Sequence, residues 1–77
     1  MKSSPESTQK TVVWKRPDGS TVACTEKIKV LQQNLDELRQ IAQDAFEDAL
    51  LMECDEDQIR AVFLELIRSL ENPYQRG

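Results

Sequence analysis

The sequence predicts an α+β fold, a two-stranded β-hairpin followed by two antiparallel amphipathic helices (ββαα) with the first helix long, and three observations carry it. Two short runs rich in β-branched and aromatic residues flank Arg16-Pro17-Asp18-Gly19. Apolar residues then recur at helical spacing from Ile28 to Met52, and a second helical stripe runs from Ile59 to Leu70.

Residues 1–10, MKSSPESTQK, hold no apolar side chain after the first Met and read as a flexible tail, because they cannot bury enough surface to order themselves. A single domain over 11–72 follows, with strands over about 11–15 and 20–24. Pro17 presets φ for the first corner of a type I turn, and Gly19 can take the left-handed conformation that completes a bulge. This turn pairs Arg16 with Ser20, Lys15 with Thr21, Trp14 with Val22, Val13 with Ala23 and Val12 with Cys24. Val12, Trp14, Val22 and Cys24 then share one apolar face. On it Trp14 is expected to anchor the hairpin against Leu31 and Leu35, and Cys24 to be a buried, inert thiol.

The first helix is expected over about 26–53, with Thr25 as N-cap and Glu26 in the first turn, where a negative charge suits the helix dipole. Ile28, Leu31, Leu35, Leu38, Ala42, Ala45, Ala49 and Met52 form its seam by steps of three and four. From Ile41 onward the stripe broadens, Ile41 lying to one side and Phe46 and Leu50 to the other, so more than one neighbour must cover it. The second helix is expected over about 56–71, with Asp55 as N-cap and Gln58 completing a form of capping box. Its stripe is Ile59, Val62, Phe63, Leu66, Ile67 and Leu70, and Asn72-Pro73 closes it before a tail over 73–77. A first helix of about 28 residues spans about 42 Å and the second only about 24 Å. The hairpin is therefore expected to cover the amino-terminal half of the first helix and the second helix the other half.

Composition narrows the function. Cys24 and Cys54, with no His, cannot supply four Cys and His ligands for a structural zinc ion, and the thiols are expected to be reduced in a cytoplasmic protein. No apolar run approaches the roughly 20 residues that span a bilayer, so no membrane partner is expected. Ten Lys and Arg against fourteen Asp and Glu give net charge −4, which argues against a general affinity for nucleic-acid phosphates. There is neither a Gly-rich phosphate loop nor a nucleophile with a base beside it, so no enzyme and no cofactor is expected.

Asp44, Glu47, Asp48, Glu53, Asp55, Glu56 and Asp57 make an acidic stretch unrelieved by Lys or Arg before Arg60. It lacks the D-x-D-x-D-G loop of a calcium site and reads either as a solvated face or as a surface that attracts a basic partner. Asp44 and Asp48, one turn apart, read as part of the same face. The expected function is a small non-catalytic protein-interaction module, regulatory or adaptor-like, that forms a homodimer. Its expected partner-binding residues are Ile41, Phe46, Leu50, Asp44, Glu47 and Asp48. A second reading is a nucleic-acid-associated regulator using the basic hairpin end, where the first 24 residues carry net +2 and the rest −6.

Overall fold

A computed structural model describes residues 12–74. The expected tail over 1–10, Thr11 of the first expected strand and positions 75–77 of the second tail lie outside the described residues. The regular elements are two α-helices, α1 (Thr25–Leu51) and α2 (Glu56–Arg68). The chain falls into two compact units, divided within α1 between Gln40 and Ile41.

The unit that ends at Gln40 corrects the expected fold class. Among the described residues there is no β-strand, so strands over 11–15 and 20–24 and the ββαα arrangement built on them are replaced by an all-α chain whose first helix follows a turn. Pairing is confined to one isolated antiparallel bridge between Lys15 and Thr21. Around it the Gly19 amide donates to the Arg16 carbonyl at 2.8 Å, Arg16 to Ser20 at 2.8 Å and Val22 to Trp14 at 2.9 Å. The turn chemistry holds, with Gly19 at φ 91° and the Asp18 carboxylate accepting from the Ser20 hydroxyl at 2.7 Å and the Ser20 amide at 2.9 Å.

The ladder stops because the helix claims the chain early. The Cys24 carbonyl accepts from the Ile28 amide at 3.0 Å, which makes Cys24, and not Thr25, the N-cap of α1. Val22 to Cys24 must leave the ladder to reach that position, and a two-stranded ribbon this short is marginal in water. Trp14, Val22, Ile28, Leu31 and Leu35 are half-buried, while Val12, Val13 and Cys24 are exposed. The Trp14 indole N–H is buried and meets no acceptor among the described residues.

In the unit from Ile41 onward, the end of α1 and all of α2 form a helical hairpin joined by Met52 to Asp55. The first helix ends two residues earlier than expected, in a Schellman motif. The Cys54 amide donates to the Ala49 carbonyl at 3.0 Å, the Glu53 amide to that of Leu50 at 2.9 Å, and Glu53 takes the left-handed φ of 68°. Asp55 then caps α2 by accepting from the Gln58 amide at 2.9 Å. At the far end Ser69 stops α2 at Arg68, its amide donating to the Glu65 carbonyl at 3.0 Å and its hydroxyl to that of Leu66 at 2.7 Å.

The hairpin closes around Ile59, the one buried side chain among the described residues, at 5% exposure. Phe46 and Phe63 meet edge to face, with ring centroids 6.4 Å apart, and Ala42 and Ala49 are half-buried along the same seam of α1.

Candidate functional site

Two right-handed helices that run in opposite directions and face each other present matching flanks. At about 100° per residue, Ile41, Ala45 and Met52 lie roughly a quarter turn to one side of the Ala42, Phe46 and Ala49 seam, and Leu50 lies to the other. On α2, Val62 and Leu66 lie to the same rotational side of the Ile59 and Phe63 seam, and Arg60 and Ile67 to the opposite one. Equal rotation from facing seams on antiparallel helices brings side chains to the same face of the hairpin. Ile41, Ala45 and Met52 therefore share a face with Val62 and Leu66, and Phe46 and Leu50 share the other with Arg60 and Ile67.

The contacts bear this assignment out on the second face. The Arg60 guanidinium stacks over the Phe46 ring at 4.7 Å from its centroid, held there by Glu56, whose Oε2 accepts from Arg60 Nη2 at 2.9 Å and Nε at 3.3 Å. One face is thus the more closed of the two, its Phe46 half-buried under a cation and its Leu50 40% and Ile67 47% exposed. The first face has no such cover, with Ile41 67%, Met52 76%, Val62 55% and Leu66 60% exposed and Ala45 exposed as well.

The six residues expected to bind a partner are not brought together. Ile41 is on the open face with Asp48 at its rim; Phe46 and Leu50 are on the closed face, Phe46 half-buried under Arg60. Glu47 points away from both seams and accepts from Gln43 Nε2 at 2.9 Å, and Asp44 lies on the outer side of α1. Val62 and Leu66 are absent from the expected set because the stripe of α2 reads as one surface facing α1. Handedness applied to two antiparallel stripes is the signal that separates its flanks.

Other chemistry is sparse. Cys24 is exposed, which corrects the expectation of a buried thiol. Once the chain turns into α1, Cys24 no longer follows Trp14 and Val22 along a strand face. The Lys27 and then the Glu26 backbone N–H groups hold its thiol below the ordinary range. Cys54 is exposed too. Among the described residues, no three Cys, Asp or Glu side chains converge as metal ligands, and no helix is long and apolar enough to cross a membrane.

Lys15 and Arg16, the expected basic end, are engaged with their own turn. Lys15 Nζ donates to Thr21 Oγ1 at 3.1 Å, and Arg16 Nη1 to Ser20 Oγ at 3.2 Å and the Thr21 carbonyl at 3.0 Å. The concavity beside the start of α1 is lined by Glu26, Lys27, Val30 and Leu31, all from the one helix. No protein-family model, curated protein or solved structure matches this chain.

Proposed function

We propose that the chain is a small non-catalytic protein-interaction module, regulatory or adaptor-like, whose contact surface is the open face of the α1–α2 hairpin. One observation carries the reading: the hairpin buries a single side chain while four large aliphatic ones on one face stay more than half in water. Covering them contributes about 1 kcal/mol at each site, half of what complete burial of a large aliphatic side chain yields. Exposed aliphatic side chains gathered on one face of a helix pair mark an interaction surface. The chain carries no histidine, and the Ser20 hydroxyl that meets the Asp18 carboxylate at 2.7 Å is part of the turn around Gly19, which supports a binding role over a catalytic one.

Site-specific photo-crosslinking in the cell of origin tests this. A benzophenone side chain at position 66, on the open face, is expected to trap protein. The same group at position 51, where Leu51 is 82% exposed but off both seams, is expected to trap far less. Equal trapping at the two positions, or none at either, overturns the reading.

A further inference from the structure

The open face differs from the closed one in charge as well as in cover. From Ile41 to Tyr74 the described chain carries nine Asp and Glu against two cations, Arg60 and Arg68, a net of −7. Arg60 is committed to the closed face by its contacts with Phe46 and Glu56, and Arg68 lies on the side of α2 turned away from the seam. The rim of the open face is left to acids: Asp48 stands one turn from both Ala45 and Met52 on α1, and Glu65 stands beside Val62 and Leu66 on α2. The result is an apolar face spanning two helices, with carboxylates at its rim and, among the described residues of this unit, no cation on that side.

Resting on the interaction-module reading, we infer that the occupant of this face is a basic amphipathic helix, with an apolar stripe for the exposed aliphatic side chains and Lys or Arg on its flanks for Asp48 and Glu65. The face runs along a helix pair, and a third helix laid over two covers both flanks at once. Charge complementarity chooses the flanks of that helix. A second copy docking through the same face would set Asp48 and Glu65 against their own counterparts and is the disfavoured occupant.

The probe is a synthetic peptide of about five helical turns, with Leu at positions i, i+3, i+4 and i+7 and Lys elsewhere, compared with a counterpart carrying Glu for Lys. Titration by fluorescence anisotropy against the full chain is expected to show binding of the Lys peptide at least tenfold tighter than the Glu peptide. Binding should weaken as ionic strength rises from about 0.05 to 0.5 M. Ile41→Gln with Leu66→Gln, which removes apolar contact without changing charge, is expected to weaken binding at least tenfold, whereas Leu51→Gln leaves it unchanged. Asp48→Asn with Glu65→Gln should flatten the salt dependence. Both positions of the apolar pair are exposed, so the helical circular dichroism should persist; if the double variant unfolds, Leu66→Gln alone makes the same comparison.

Equal binding of the two peptides, or wild-type binding by the Gln variants, overturns the proposal. Sedimentation equilibrium separates its failure from failure of the broader reading. A wild-type dimer dissociated by Leu66→Gln assigns the face to a second copy, which ends the basic-helix proposal and leaves the interaction module standing. A monomer that binds neither peptide and traps nothing at position 66 ends both.

Discussion

Gly19 and Cys24 show how a single residue's surroundings decide its behaviour. Gly19 sits at φ 91°, and a Cβ placed there meets no atom within 4 Å, so the obstacle to a side chain is conformational and not steric crowding. Gly19→Ala is expected to cost about 1 to 2 kcal/mol through the backbone alone, read as loss of the Lys15–Thr21 pairing in amide and Hα chemical shifts. A turn that keeps its shifts would mean the left-handed position is not required. At Cys24, the Lys27 and Glu26 amides favour the thiolate. Iodoacetamide should therefore modify Cys24 ahead of Cys54 near neutral pH, with a rate that rises through a midpoint below that of free cysteine. Because folding lowers this pKa, the linked stabilisation is complete above the unfolded thiol's value and is lost as pH falls through the folded one. Mass spectrometry of each thiol after short alkylation at several pH values checks the order.

Among the elements, the helices are legible in the sequence and the strands are not, for different physical reasons. The stripe from Ile28 to Met52 persists over many turns, and no competing structure satisfies a period of 3.6. Asp55 with Gln58 marks the start of α2 by a bond that only a cap makes. The segment Val22-Ala23-Cys24 has no such protection, since it serves as well for the approach to a helix as for a strand end. A shift of the N-cap by one residue, from Thr25 to Cys24, withdraws it from the ladder. The candidate face was half legible: Ile41 and Asp48 fall on it, but which flank of each helix Arg60 closes depends on a tertiary contact. α1 ends two residues before its expected end, and the sequence does not show it, because Glu53 gives no signal of a left-handed C′ position, which glycine usually fills. Glu53→Gly is accordingly expected to stabilise the hairpin by about 1 kcal/mol. Thermal unfolding followed at 222 nm would show the midpoint rise, and a fall would mean that the Glu53 side chain contributes more than its backbone costs.

At the scale of the molecule, the described residues hold a thin reserve of buried apolar surface, and Ile59 is the centre of it in the unit from Ile41 onward. Ile59→Ala is expected to cost about 2 to 5 kcal/mol, enough to dissolve the hairpin from Ile41 onward in a chain of this size. Loss of helical circular dichroism at 25 °C, partly restored by the Lys peptide at high concentration, is the expected result. A variant as helical as wild type would place the centre of the hairpin elsewhere. The Schellman turn has a kinetic consequence as well. Phe46 and Phe63 are 17 positions apart in the sequence, with the turn between them. Closing so short a loop takes well under a microsecond, and helical structure with such local contacts forms in microseconds to milliseconds. Productive association at micromolar concentration is slower than that, at typical association rate constants. The hairpin therefore reaches equilibrium with its unfolded form between one productive association and the next. A partner then samples a ready population of folded hairpins, and its observed rate of association should scale with the folded fraction, rising with substitutions away from the open face that stabilise the hairpin.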